Sequence, residues 1–125
     1  MFKNLEVMRM AQAMATHAGQ RQSVVAQNVA HANTPGYRAR DLPDFSDIFQ
    51  SSGVDLRRTR AGHWAASNAD NAHLIDAPNN QKPNGNTVSI ESQMVKAGEI
   101  RHQHDLALAI YKTSLDILRL SVGRR

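Results

Sequence analysis

The chain of 125 residues has no cysteine and few aromatic residues. Without cysteine it can form neither a disulfide framework nor a zinc–thiolate site. It contains one tryptophan, two tyrosines and three phenylalanines, and three of these, Tyr37, Phe45 and Phe49, fall within one short stretch. The sequence therefore predicts no aromatic core of its own.

Long hydrophobic runs are also absent. No segment approaches the roughly 20 apolar residues that a membrane-spanning helix needs. Residues 1–12 carry Lys3, Glu6 and Arg9 between their apolar positions, so they lack the unbroken apolar region of a secretory signal peptide. The sequence predicts no direct membrane insertion, and any export would follow a route that cleaves no signal peptide.

Charge of one sign is only in modest excess. The chain has 15 Lys and Arg against 11 Asp and Glu, a formal net charge of +4. A scattered excess of this size is typical of a solvated surface and permits an anionic partner without demanding one. A small basic nucleic-acid-binding helical module and a membrane-surface helix stay as alternatives, although DNA-reading helices are usually short.

The usual signatures of catalysis and cofactor binding are missing. There is no glycine-flanked serine elbow and no phosphate-binding glycine loop. The closest histidines, His102 and His104, are two residues apart, so on a helix they would point about 200° from each other and could not share an ion. We predict no enzyme activity and no catalytic, cofactor-binding or metal-binding residues.

Residues 2–32 contain no proline and have apolar residues in alternating steps of three and four. This spacing predicts one long helix with a packing stripe rich in alanine, which lets another helix approach closely. Gln22 is the one polar member. The apolar members are Met8, Ala11, Ala15, Ala18, Val25, Val29 and Ala32.

The first helix should stop near Asn33, because Pro35 disfavours the helical conformation at Thr34. Pro35 and Gly36 suit the central positions of a type II turn, with a positive φ at Gly36. Asn33 could take the left-handed conformation that caps many helices. The next segment, residues 37–50, contains Pro43 and is predicted to be extended and to lie back on the helical surface.

A second long helix is predicted from a capping serine, Ser89, to about Val122, with Glu91 in its first turn. From Leu106 to Tyr111 six apolar residues cover every face of this helix, so more packing partners are implied than one helix can supply. Its main stripe also runs in steps of three and four. The stripe consists of Met94, Ala97, Arg101, His104, Leu108, Tyr111, Leu115, Leu118 and Val122.

The predicted fold is mainly α. Two long terminal helices pack as a coiled-coil-like hairpin around an irregular or weakly β central segment, with boundaries at 1–36, 37–87 and 88–125. Ala107, Ile110 and Ile117 fall outside the stripe and should stay exposed in a monomer. We predict that subunits pack through Met8, Ala11, Ala15, Ala18, Val25, Val29, Leu108, Ile110, Tyr111, Leu115, Ile117 and Leu118.

Residues 28–37, Asn-Val-Ala-His-Ala-Asn-Thr-Pro-Gly-Tyr, resemble the N-terminal signature of flagellar rod and hook proteins. Residues 38–45 resemble the proximal-rod type of the flagellar basal-body rod family in particular, and so do residues 85–88 and the long second helix. His31 stands where asparagine is common. The signature residues carried over are Asn28, Asn33, Thr34, Pro35, Gly36 and Tyr37.

The resemblance implies a structural subunit of the proximal rod of the bacterial flagellar basal body. Such a subunit would polymerise through its terminal helices and link the membrane-embedded ring to the rest of the rod. The implied partners are itself, other rod proteins, ring and rod-adaptor proteins, and the flagellar type III export apparatus, with no cofactor and no nucleic acid. The implied location is the periplasmic side of the basal body, and another rod or hook-type axial protein is the alternative.

Phe45 and Phe49 also resemble the aromatic-x-x-x-hydrophobic export-gate signal of this class. A plainer interpretation is available, since residues four apart lie one helical turn apart and could simply pack together. The sequence leaves both interpretations open.

Overall fold

The computed structural model describes residues 2–51, 75–76 and 81–123, and it confirms the two long terminal helices. In chain order the elements are α1 (Phe2–Ala30), β1 (Arg40–Asp41), α2 (Phe45–Ser51), β2 (Ile75–Asp76) and α3 (Ile90–Val122). Most of the predicted irregular segment, residues 52–74 and 77–80, lies outside the described residues.

Local signals set the ends of α3. The Ser89 hydroxyl accepts a hydrogen bond from the Ser92 N–H at 3.4 Å, as expected of a helix N-cap. Glu91 in the first turn and Arg119 in the last complement the helix dipole. At the other end the Gly123 N–H donates to the Arg119 carbonyl. Both predicted limits of this helix are confirmed.

The two long helices run antiparallel, since Asn28 meets Gln93 while Ala18 packs near Ile100. Their buried seam repeats every seven residues, the period of a coiled coil. In α1 and the turn that follows it, the seam consists of Ala11, Ala18, Val25 and Ala32. In α3 it consists of Gln93, Ile100, Ala107 and Ser114.

The packing face predicted for α3 was wrong by one residue. Ala107, expected to be exposed, is fully buried, whereas Leu108 is 49 % exposed. The seam includes Gln93, which accepts a hydrogen bond from Asn28, and Ser114, whose hydroxyl donates to the Ile110 carbonyl. Because these polar residues have hydrogen-bond partners inside the structure for the Gln93 side-chain oxygen and the Ser114 hydroxyl, they lie in the seam although hydrophobicity alone points to the neighbouring face.

In α1 the predicted stripe is confirmed at its four seam residues, Ala11, Ala18, Val25 and Ala32, but not at its flanking members. Val29, a member of the predicted stripe, is 43 % exposed, and Gln22 is exposed as well. The polar residues Arg21 and Asn28 are buried instead. The face of α1 that the rest of the chain covers is therefore broader and more polar than the sequence pattern suggests.

The segment after α1 is only partly extended. β1 and β2 form a two-stranded antiparallel sheet in which Arg40 is opposite Asp76. α2 was not predicted, because Pro43 directed the interpretation towards extended backbone. The helix begins just beyond that proline, and the Asp44 carbonyl accepts hydrogen bonds from the N–H groups of Asp47 and Ile48.

Candidate functional site

The turn after α1 has the predicted backbone. Gly36 has a φ of +73°, and the Tyr37 N–H donates to the Thr34 carbonyl at 3.3 Å. A positive φ at the third residue, after Pro35, is the geometry of a type II turn. The left-handed cap predicted at Asn33 is wrong, because within the described residues only glycines have positive φ.

Asn86 supplies the cap that Asn33 does not. Its buried side-chain amide donates to the carbonyls of His31, Ala32 and Thr34, each at 2.9 Å. Its side-chain oxygen accepts a hydrogen bond from the Val88 N–H at 2.7 Å. Carbonyls at the end of a helix have no partner within the helix, so Asn86 both closes the end of α1 and fixes the approach to α3.

The turn and the segment before α3 interlock through close backbone contact. A Cβ atom on Gly85, whose φ is +84°, would lie 3.3 Å from the Cα of Gly36. The Gly36 N–H donates to the Asn84 carbonyl at 3.0 Å, and the Thr87 N–H donates to the Tyr37 carbonyl at 3.0 Å. Glycine at position 85 permits this approach, whereas position 36 favours glycine because of its positive φ.

Asn28 joins three parts of the chain and is 1 % exposed. Its amide nitrogen donates to the Arg40 carbonyl at 2.7 Å and to the Gln93 side-chain oxygen at 3.1 Å. Its side-chain oxygen accepts from the Arg40 N–H at 3.1 Å and from the Tyr37 hydroxyl at 3.3 Å. All the hydrogen-bonding capacity of this amide is therefore used within the hairpin.

Asp41 is the centre of a buried charge cluster. Arg21 donates to both carboxylate oxygens, with distances of 3.0 and 3.2 Å. Lys96 of α3 lies 3.2 Å away, and the Leu42 N–H donates at 2.8 Å. Burial acts to raise the pKa of Asp41, but the hydrogen bonds from Arg21 and Leu42 and the positive charges of Arg21 and Lys96 together hold that pKa below its usual value.

Phe45 and Phe49 lie on α2 with their ring centroids 5.7 Å apart. The Phe45 ring also lies 5.8 Å from the ring of His17, and His17 Nε2 donates to the Pro43 carbonyl at 2.8 Å. These contacts attach the start of α2 to α1. In the folded subunit, Phe45 and Phe49 therefore pack together, as the plainer interpretation predicts. Their role in export stays a prediction.

The residues predicted to pack between subunits divide into two groups. Ala11, Ala18 and Val25 are buried in the seam of the hairpin. The others lie outside it: Met8, Ala15, Ile110, Leu115 and Leu118 are half-buried, and Val29, Leu108, Tyr111 and Ile117 are exposed.

Substituting Gly36 tests the turn. Gly36→Val is expected to lower the free energy of unfolding by at least about 1–2 kcal/mol, because a β-branched residue is strained at positive φ. Among the described residues no atom lies within 4 Å of the new Cβ, so the expected loss comes from backbone strain and not from a clash with them. Urea unfolding of the purified protein measures the change. Gly36→Asn is the control, since asparagine tolerates this conformation, and equal stability of the two variants would contradict the interpretation.

The two long helices form a hairpin, and buried hydrogen bonds and a buried ion pair hold the connecting segment against it. This arrangement places the chain in the class of helical structural subunits. The chain is 32% identical to the flagellar basal body rod protein FlgB of Agrobacterium fabrum, over 96% of this chain and 95% of that protein. It is 33% identical to FlgB of Yersinia ruckeri over 71% of the chain and 74% of that protein, and 28% identical to FlgB of Salmonella typhimurium over 77% and 78%.

The chain therefore belongs to the FlgB family of flagellar basal body rod proteins, which confirms the resemblance noted in its signature residues. It is a structural subunit of the flagellar basal-body rod and not an enzyme. No protein-family profile matches the sequence. Among the described residues, no helix is long and apolar enough to span a membrane.

Proposed function

We propose that this subunit polymerises through α1 and α3 into the proximal rod and links the membrane-embedded ring to the rest of the rod. The observation that carries the proposal is the apolar surface that the hairpin leaves uncovered on α3. Leu108 and Ile117 are each about half exposed, and Leu120 is 74 % exposed. Neighbouring subunits would bury this surface, and burial of apolar area is the main driving force of protein association.

The interlocked turn suits a part that transmits torque. Asn28 of α1 donates to Gln93 of α3 and to the Arg40 carbonyl. Asp41, in the segment between the helices, pairs with Arg21 of α1 and Lys96 of α3. A twist applied to α3 would therefore pass to α1 through these polar contacts as well as through the seam. The partners are further copies of this chain, other rod proteins, and the ring and rod-adaptor proteins at the base of the rod.

Ile117→Asp tests the assembly surface. It is expected to exclude the protein from isolated basal bodies, because each buried isoleucine contributes about 1.5–3 kcal/mol and a buried aspartate would be unpaired. Ile117 is a cleaner probe than Ile110, which is half-buried within the hairpin. Lys112→Asp, at an exposed position of the same helix, is the control. Normal incorporation of Ile117→Asp, or a larger defect in Lys112→Asp, would refute this choice of surface.

We also propose that the chain leaves the cytoplasm through the flagellar type III export apparatus without a cleaved signal peptide and acts on the periplasmic side. In the unfolded chain, before export, Phe45 and Phe49 lack the contacts that α2 makes in the folded subunit. The same two residues can thus serve export first and packing later.

Phe45→Ala separates these two roles. If Phe45 belongs to the export signal, the variant should accumulate in the cytoplasm while its synthesis is unchanged. If Phe45 only packs against His17 and Phe49, the variant should be exported and then fail to assemble. Fractionation of cells followed by immunoblotting distinguishes the two results, and Ser46→Ala, an exposed change in the same helix, is the control.

A further inference from the structure

Asn84 is the only asparagine in the chain that is followed by glycine. Asparagine is among the chemically labile residues of proteins, and glycine as the next residue makes it most reactive. The nitrogen of the next residue can attack the side-chain amide carbon, and glycine has no Cβ atom to hinder that approach. Asn84 is also exposed to solvent. Its sequence context and exposure therefore make this pair a candidate for spontaneous deamidation.

The reaction consumes only water. The Gly85 nitrogen forms a bond to the Asn84 Cγ, the bond from Cγ to Nδ2 breaks, and ammonia leaves with the proton of the Gly85 N–H. Water then opens the resulting succinimide ring at one of its two carbonyl carbons. Opening at Cγ gives aspartate on a normal main chain. Opening at the main-chain carbon gives isoaspartate, which lengthens the main chain by one carbon–carbon bond, about 1.5 Å.

The folded backbone keeps the two reacting atoms apart. The Gly85 N–H donates to the Lys82 carbonyl at 2.9 Å, which closes a turn with Pro83 second and Asn84 third. Asn84 has no positive φ, so the turn is of type I, in which the third residue has a ψ near 0°. Ring closure needs a different ψ, one that brings the Gly85 nitrogen against Cγ. The Asn84 side-chain oxygen is also held, because it accepts from the Asn86 N–H at 3.1 Å.

Contacts with the rest of the hairpin hold this turn closed. The Asn84 carbonyl accepts from the Gly36 N–H at 3.0 Å, and the Lys82 N–H donates to the Asn86 carbonyl at 2.9 Å. A Cβ atom on Gly85 would lie only 3.3 Å from the Gly36 Cα, so the two backbones cross at close range. A rotation of Asn84 towards the reactive ψ would therefore have to break the crossing between the turn after α1 and the segment before α3.

We propose that Asn84 is a deamidation site that the folded crossing protects, and that isoaspartate at this position prevents the crossing from closing again. The Asn86 amide lies 2.9 Å from each of the three carbonyls that it caps at the end of α1. An added 1.5 Å of main chain, about one carbon–carbon bond, two residues earlier would displace this amide or force Gly85 into Gly36. The chemical state of residue 84 thereby records whether a chain has stayed folded.

Peptide mass spectrometry of the purified chain tests the protection. One sample is kept helical, as checked by circular dichroism, in mildly alkaline buffer, and a second is kept unfolded in guanidinium chloride at the same pH and temperature. Conversion at Asn84 should be at least about tenfold slower in the folded sample, because a reaction of the opened state follows the population of that state. Asn33, which precedes threonine, is the internal control and should convert slowly in both samples. Gly85→Ala should slow conversion in the unfolded sample, which assigns the reaction to this pair.

The effect of the product is measured on the isoaspartyl chain after chromatographic separation and removal of the denaturant. This chain should unfold at a lower urea concentration than Asn84→Asp, which carries the same charge on a normal main chain and should match the parent. Equal conversion rates in the folded and unfolded samples would overturn the protection. Conversion of Asn84 no faster than that of Asn33 in the unfolded chain would overturn the site. An isoaspartyl chain as stable as Asn84→Asp would overturn the proposed effect on the crossing.

Discussion

Asp41→Ala is expected to lower the free energy of unfolding by about 3–5 kcal/mol, because it leaves the guanidinium of Arg21 buried without its counter-charge. The side chains of Arg21 and Asp41 are only 10 and 12 % exposed, so water cannot replace the lost carboxylate. Lys96 and the Leu42 N–H lose the same partner. Urea unfolding of the purified protein, followed by circular dichroism, measures the loss.

Asp44→Ala is the matched control. Asp44 also lies near Arg21, at 3.9 Å, but its side chain is 72 % exposed. Surface ion pairs of this kind contribute about 0–1 kcal/mol. If the two variants lose equal stability, Arg21 does not depend on Asp41 in the way the contacts indicate.

The same carboxylate predicts a pH dependence. Its pKa is lower in the folded chain than in the unfolded chain, so its contribution is fully present above the ordinary aspartate value of about 4 and is lost as the pH falls through the folded pKa. Stability of the parent chain should therefore fall more steeply below about pH 4 than that of Asp41→Asn. Parallel curves for the two proteins would contradict this assignment.

Asn86→Ala is expected to lower the free energy of unfolding by about 3 kcal/mol. An unsatisfied buried polar group costs about 1–3 kcal/mol, and the Asn86 side chain forms hydrogen bonds with several backbone groups. The Ala32 carbonyl would lose the Asn86 donor, and the carbonyls of His31 and Thr34 would keep only the N–H groups of Thr34 and Tyr37. The Val88 N–H would lose its acceptor. Urea unfolding of the purified variant measures this change in the free energy of unfolding. Amide exchange at the C-terminal end of α1 should also accelerate, because the helix end loses its cap.

Asn33→Ala provides the comparison for this second variant. Asn33 is the same residue type in the same turn, yet it is exposed. Exposed substitutions usually change stability by less than about 0.5 kcal/mol. A loss at Asn33 as large as that at Asn86 would mean that the turn is capped from within, as the sequence first suggested.

The sequence by itself determined the local features. Ser89 begins α3 and Gly36 has a positive φ, as predicted, because helix capping and turn conformation depend on residues within three or four positions of each other. The length of both helices followed from the same short-range rules. Assembly was also foreseeable, because the apolar run from Leu106 to Tyr111 exceeds what one partner helix can cover.

Only the tertiary structure decided which helix faces meet. Asn28 lies in the buried region because Gln93, 65 residues away in the chain, accepts one of its hydrogen bonds, and Arg21 is buried because Asp41 neutralises it. Asn86 caps a helix end about 55 residues before it. The pattern of apolar residues in the sequence contains no information about such distant polar partners. The sequence therefore identified the seam residues of α1 but placed the seam of α3 one residue away from its true position, because polar residues with distant partners fixed the rotation of that helix.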